Sequence, residues 1–362
     1  MSKHPAVADT VLRPANAEQY RQSLVNQYPQ WGTGYSLDGF IEREHHLGQT
    51  GMGKQMQCWV LVPTDDPETK DILCSCETFR RPVIWCPRAG VVKDAVAYSI
   101  ASVFTPPHNR GKRYASHMMS TLHSKLRLDK QIVNDNIPSV SDNASKGQDA
   151  VVSFLFSDVG DFYASCGPPG WHSQGLSTTV WQLDGYPADV SISSSLSAVK
   201  AQDFKRVADA DARIVRDDVA SKGPYPAFAV VLTEGTLDWT TTRATEYARQ
   251  NNLPEPQIWG FETGSSLILF SYELKRQTVK VLRVRADCAN VLEQLLDGVA
   301  AVARELGANR IVAWQVDETL VQGLPSDKQG KTADRTDSLS ALAEYAGEGE
   351  IAWRINEACF WC

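Results

Sequence analysis

The chain has 362 residues, 43% of them hydrophobic and 22% charged, with a formal net charge of −7. This composition suits a globular protein of about two domains rather than a disordered one. The acidic balance argues against broad nucleic-acid binding, which needs a basic face. No run approaches the roughly 18 apolar residues of a membrane span, and Met1 to Thr10 lacks the apolar core of a secretory signal. Eight cysteines sit mostly inside apolar runs, as in Gln57-Cys58-Trp59-Val60. They read as reduced core thiols of a cytoplasmic protein. The pairs Cys74/Cys76 and Cys359/Cys362 could in principle offer four thiolates, but a Cys-x-Cys in a strand has no turn to wrap a metal. No metal site is expected.

In chain order, Thr10 to Ala15 reads as a strand, with a helix opening at Asn16 and running to Tyr28. Ser36 and Asp38 open a second helix through His45-His46. Three strand-like runs come next, Cys58–Val62, Ile72–Phe79 and Ala95–Phe104, the last stopped by Pro106-Pro107. Tyr114, Met118, Leu122 and Leu126 recur every four residues, which predicts a helix over Lys112–Leu128. Asp129 to Ala150 is polar and aperiodic and reads as a flexible insertion. Val151–Phe156 is a buried strand, Asp161–Cys166 a helical turn closed by Gly167, and Ser177–Leu183 another strand. The order predicts a mixed α/β fold.

A Ser-rich stretch from Ser191 to Ala198 looks like a boundary, giving a first domain over 1–190 and a second over 191–362. In the second, Ala201–Asp218 and Asn290–Leu306 read as helices. Ile258–Phe261, Leu267–Glu273, Val279–Val284 and Ile311–Val316 read as strands, and Pro325–Asp334 as a polar loop. Strand–helix–strand recurs in both halves, which leaves open a degenerate second copy of one fold. Arg283, Arg285 and Arg304 are expected to be solvated. Trp353, Phe360 and Trp361 are expected to anchor the tail in the core. If so, the terminal carboxylate of Cys362 would lie near the chemistry.

The most informative stretch is Val103-Phe104-Thr105-Pro106-Pro107-His108-Asn109 and then Arg110-Gly111-Lys112-Arg113-Tyr114-Ala115. A strand ends, and a basic, glycine-containing turn opens a helix. Free N–H groups and the positive end of the helix dipole suit a pyrophosphate there, with Arg110, Lys112 and Arg113 as charge-assisted partners. The stretch resembles the cofactor motif of the GNAT (GCN5-related N-acetyltransferase) superfamily, Gln/Arg-x-x-Gly-x-Gly/Ala. Arg110 matches the first position and Ala115 the last, while Arg113 stands where the family usually has glycine. Ser157-Asp158-Val159-Gly160-Asp161-Phe162-Tyr163-Ala164-Ser165-Cys166-Gly167 resembles the family's Phe-Tyr-x-x-x-Gly. Across its length the chain is most similar to fungal lysine N6-acetyltransferases, on Cys74–Arg80, Ser157–Gly160 and Asn356–Cys362.

The resemblance implies a GNAT fold, a mixed, mostly antiparallel sheet flanked by helices, with a second α/β domain behind it. It implies acetyl-CoA as co-substrate, held by Val103, Phe104 and Thr105 along the pantetheine and by Arg110, Gly111, Lys112, Arg113, Tyr114 and Ala115 around the pyrophosphate. It implies Tyr163 as the group that protonates the leaving thiolate. The acceptor expected is a small-molecule amine, either free lysine or a fungal metabolite amine. The amine would attack directly in a ternary complex, with a main-chain N–H near Phe104 polarising the carbonyl. Glu77 is the first candidate for the base and Asp158 the second, since either carboxylate could take the amine's proton. His108 and His45-His46 are weaker candidates for the edge of the site. A non-catalytic CoA-binding protein is the alternative, on the strength of Arg113. Oligomeric state is not legible.

Overall fold

The computed structural model describes residues 4–127, 149–168, 170–187, 191–346 and 350–361. Most of the expected insertion over 129–150, and Cys362 with its carboxylate, lie outside these residues. In chain order the elements begin β1 (Thr10–Pro14), α1 (Ala17–Trp31), α2 (Leu37–Gln49), β2 (Met56–Pro63), β3 (Cys74–Arg88), β4 (Val91–Phe104), α3 (Tyr114–Leu126), β5 (Ala150–Ser157), β6 (His172–Ser173) and β7 (Ser177–Gln182). They continue β8 (Ser197–Val199), α4 (Phe204–Ser221), β9 (Ala227–Val230), α5 (Glu234–Gln250), β10 (Gly260–Thr263), β11 (Ser266–Glu273), β12 (Thr278–Arg285) and α6 (Ala289–Glu305). The chain finishes with β13 (Arg310–Trp314), α7 (Glu318–Gln322), β14 (Lys331–Asp334), β15 (Leu339–Glu344) and β16 (Ala352–Arg354).

The helix starts come from local chemistry. Asn16 caps α1 through the N–H of Gln19, whose side chain returns to the N–H of Asn16, a reciprocal capping box. Ser36 caps α2 and Thr233 caps α5.

Two mixed sheets carry the fold. The first runs β1-β2-β3-β4-β5-β15-β6, with β9 on the second half of β3 and β16 on β9. The second runs β14-β7-β13-β12-β11-β10-β8. Strands before and after residue 190 mix in both, since β9, β15 and β16 join the first sheet and β7 joins the second. Each sheet has one parallel strand–helix–strand crossover with antiparallel neighbours: β4-α3-β5 in the first and β12-α6-β13 in the second. The strand before each crossover lies across a register shift, at Ser75/Glu77 opposite β4 and at Leu269/Phe270 opposite β12. The second half therefore repeats the plan of the first.

Alternation along β4 assigns its faces. Val96, Tyr98 and Ile100 pack under Tyr114, Met118 and Leu122 of α3. Ala95 and Ala97 face the larger cluster built with Phe261, Ile268 and Phe270 of the second sheet and with α6. A strand covered on both faces reads as a nearly continuous apolar run, as Ala95–Phe104 does.

The tail ties the halves together. Phe360 is 1% exposed, and its carbonyl accepts from Arg81 of β3, which also donates to Ser99 and Thr236. Arg283, expected to be solvated, is instead buried between Asp211 at 3.1 Å and Glu357 at 2.9 Å, because a charge that deep persists only when paired. Arg285 also reaches Asp211, at 2.6 Å. Arg304 donates to the carbonyls of Leu183, Tyr186 and Pro187. Phe360→Ala should cost about 3–5 kcal/mol of unfolding free energy by cavity formation, measured by chemical denaturation. A loss under about 1 kcal/mol would contradict the anchoring role.

Candidate active site

The site grows from a break in strand pairing. β4 and β5 pair in parallel from Val96 to Ile100 and no further. At Ser102 the backbone takes a left-handed φ of 54°, and the pairing with β3 slips there by one residue. A bulge re-aims the strand beyond it. Val103, Phe104 and Thr105 leave β5 and line one wall of a cavity of about 670 Å³. Arg110, Gly111, Arg113, Tyr114 and Ala115 line its other end, and Asp158, Phe162 and Tyr163 its opposite wall.

This end of the cavity offers free N–H groups and basic side chains, which suit an anion. His117 is the first residue of α3 whose N–H is taken by the preceding turn, at the carbonyl of Arg113. The N–H groups of Tyr114, Ala115 and Ser116 come before it and are left for other partners. Gly111 has φ 75° and open space where a Cβ would stand, so the backbone can be approached closely. Arg113 also lies in the left-handed region, with φ 65° and ψ 15°. That conformation accounts for a glycine preference at this position. Its guanidinium is exposed and holds no hydrogen bond or ion pair among the described residues, while staying on the cavity wall. Lys112 is not on that wall: its Nζ donates to the carbonyl of His108 at 2.5 Å.

The predicted catalytic side chains lie around the bulge. Glu77, on β3, stands opposite Ala101 of β4 and is 6% exposed. Its Oε2 accepts from Ser102 Oγ at 2.7 Å. Burial, with the Glu44 carboxylate adding to it, pushes Glu77 up to about 7, against the Ser102 hydrogen bond and the charges of Arg43 and Arg243. Neighbouring Arg80 and Arg81 do not pair with it. Arg80 holds Asp149 at 3.0 Å, and Arg81 is spent on the interdomain contacts above. Tyr163 is half-buried on the other wall, and burial, with Cys74 and Cys76 nearby, holds its phenol protonated far above neutral pH. Asp158 is exposed, and its Oδ1 accepts the N–H of Ser338 at 2.6 Å. It fastens the loop before β15 to the end of β5. His108 pairs weakly with Asp71 at 3.6 Å, and His46 with Glu246 at 3.1 Å. Neither they nor His45 line the cavities.

A second cavity, of about 620 Å³, opens on the far side of the bulge. Trp31, Ile100, Ala101, Ser102, Phe156 and Asp158 line both, so the two spaces meet where Glu77 and Ser102 sit. Elements from both halves of the chain build it: α1 and α2, β3, α5, β11, β12 and the tail. Arg43 pairs with Glu44 and packs on Tyr35 and Phe40. Lys280 pairs with Glu273 at 3.3 Å, its amine 4.4 Å from the ring of Trp314 and 4.6 Å from that of Trp361. Arg243 lies between Trp239 and Trp361, 4.8 and 4.9 Å from their ring centres.

Most of this second wall is absent from the sequence reading. The helix α5 hides behind a Trp239-Thr240-Thr241-Thr242 run of weak helix formers. Only its Thr233 cap and the spacing of Leu237, Ala244 and Ala248 signal it. No local pattern points to Arg43 or Arg243, which long-range packing brings in.

The comparisons agree with this geometry. The family described as "LYC1 GNAT-like C-terminal domain" matches residues 181–362, half of the chain. A lysine acetyltransferase from Yarrowia lipolytica is 25% identical over 393 residues, covering 93% of this chain and 97% of that protein. Among solved structures, a GCN5-related N-acetyltransferase from Kribbella flavida superposes with a TM-score of 0.54 at 13% identity, over 93% of this chain and 72% of that one. A putative acetyltransferase from Pyrococcus horikoshii gives 0.53 at 10% identity, over 100% and 98%. The bulged β4, the crossover through α3 and the family match lead to one conclusion: the chain belongs to the LYC1 GNAT-like family and is a GNAT-type N-acetyltransferase.

Proposed function

We propose that the protein transfers an acetyl group from acetyl-CoA to a small-molecule amine, free lysine or a metabolite amine, by direct attack while both substrates are bound. The observation that carries this reading is the meeting of the two cavities at Ser102, beneath a buried carboxylate whose proton affinity is tuned to neutrality. The residues fit acetyl-CoA. The edge that Val103 and Phe104 turn away from β5 suits the amide groups of pantetheine, and the start of α3 with Arg113 and with Arg110, whose Nε is held by the Thr105 carbonyl at 3.1 Å, suits the pyrophosphate. When bound, the cofactor supplies an acetyl thioester.

The chain's own groups divide the remaining work. Glu77 takes the proton from the incoming amine; a base near pH 7 is well matched to that task. The main chain just past the bulge, around Phe104, offers an N–H to the carbonyl oxygen as it gains charge. Tyr163, held protonated, donates to the departing sulfur. Asp158, exposed and fastening the loop before β15, shapes the mouth and is the second choice for the base. Residues 1–190 supply these chemical groups, and 191–362 complete the acceptor side. The Yarrowia relative's printed activity, lysine acetylation, supports lysine as the first acceptor to try. A protein working on soluble metabolites with reduced thiols fits a cytoplasmic setting.

Glu77 sets a pH dependence with a definite sign. Its carboxylate is active only when deprotonated, so kcat/KM should rise with pH through about 7 and level above it. The Glu77→Gln variant should lose that acid limb and drop in kcat by about 100-fold or more, as read from a pH–rate profile with lysine as acceptor. An unchanged limb in the variant would remove Glu77 as the base. Arg113→Gly keeps the left-handed turn and deletes the cation. Calorimetry should show acetyl-CoA binding about 3- to 10-fold weaker. Tighter binding would mean that the arginine crowds the phosphates instead.

A further inference from the structure

The acceptor cavity is rich in charge, and nearly all of that charge is internally cancelled. Arg43 answers Glu44, and Lys280 answers Glu273. Lys275, Arg276, Asp158 and Asp337 are exposed at the rim. Among the described residues that line this cavity away from the rim, two charged side chains have no ion-pair partner. One is Glu77, held only by the Ser102 hydroxyl. The other is Arg243, flanked by Trp239 and Trp361 with no hydrogen bond or ion pair to satisfy its guanidinium. Half-buried cations are rarely left this way, because removal from water without a partner is costly. Aromatic walls hold a guanidinium in place through its faces and leave its N–H edge free for a planar oxyanion. The two open charges have opposite sign and are near enough to feel each other: Arg243 draws Glu77 downward.

From this juxtaposition we infer that Arg243 is the acceptor-specificity residue, binding a carboxylate on the amine substrate while the reacting amine sits at Glu77. The inference rests on the small-amine reading and narrows it to acceptors bearing both an amine and a carboxylate. The aromatic frame has a second consequence. Trp361, through its contacts with both Arg243 and Lys280, couples the tail to the orientation of the anchor. The tail thereby contributes to substrate choice as well as to stability.

The test compares lysine with 1,5-diaminopentane, which is lysine without its carboxylate, in the wild type, Arg243→Gln and Arg243→Lys. The wild type should prefer lysine through KM. Assayed above pH 8.5, where Glu77 is deprotonated with or without the Arg243 charge, Arg243→Gln should raise KM for lysine by about 10- to 100-fold, with kcat and the KM for acetyl-CoA little changed. The KM for the diamine should not move, and Arg243→Lys should recover part of the loss. Equal use of both acceptors by the wild type would overturn the inference while leaving the small-amine reading intact. So would an equal loss for both in Arg243→Gln. Should Arg243→Gln not fold, Arg243→Lys and the wild-type comparison decide: a change in KM in Arg243→Lys that is equal for lysine and the diamine would also overturn it. Turnover of neither acceptor by a wild type that binds acetyl-CoA would sink the small-amine reading and this inference with it.

Discussion

The structure depends on one interruption: β4 stops pairing with β5 after Ile100, and a left-handed Ser102 turns its end away. Inside a continuous sheet the backbone groups of Val103 to Thr105 would be consumed by the neighbouring strand. Freed from it, they form an edge in the middle of a buried layer. An unpaired edge is a liability on a surface, but here it lies inside a cleft. The Ser102 hydroxyl also caps Glu77, so the residue that opens the sheet holds the proposed base.

The second sheet shows the fate of the same plan when the opening is filled from within. β12 pairs with β13 only over Thr278–Lys280. Past that point the N–H of Val284 is taken by Glu357 of the tail at 3.3 Å, and Arg283 closes the arrangement by pairing with Glu357 and Asp211. The turn into α6 reads Arg285-Ala286-Asp287-Cys288, with no glycine and with a carboxylate where the first half presents cations. The second copy therefore serves as a platform. It backs β4 and β5 through the shared apolar cluster and lends α5, β11, β12 and Trp361 to the cavity proposed for the acceptor.

The parts legible in the sequence are those with short-range physics. The capped starts of α1 and α2, the four-residue spacing of α3 and the apolar runs of β2 to β5 all rest on residues a few positions apart. The turn proposed to hold the pyrophosphate is equally local, and the left-handed φ at Arg113 gives its departure from glycine a conformational reading. Other parts depend on pairing across the chain. β9 docks on β3 about 140 residues earlier in sequence, and β15 inserts between β5 and β6. The stretch 331–334, which reads as polar loop, is an edge strand on β7, where exposed polar residues are expected. Glu77 is legible as a carboxylate on the right strand, but its displacement to about 7 comes from burial and from Glu44, which a sequence does not place. Arg43, Arg243, Trp239 and Trp361 are brought together only by the docking of the two halves.

If the two cavities meet at Ser102 so that amine and thioester react directly, both substrates must occupy the enzyme at once. Initial-velocity kinetics test this most simply, varying acetyl-CoA at several fixed lysine concentrations. The account predicts double-reciprocal lines that intersect to the left of the axis, as in a ternary complex. Parallel lines, together with an acetylated enzyme isolated before lysine is added, would mean that the acetyl group first passes to the protein, and would contradict the direct transfer on which this reading stands.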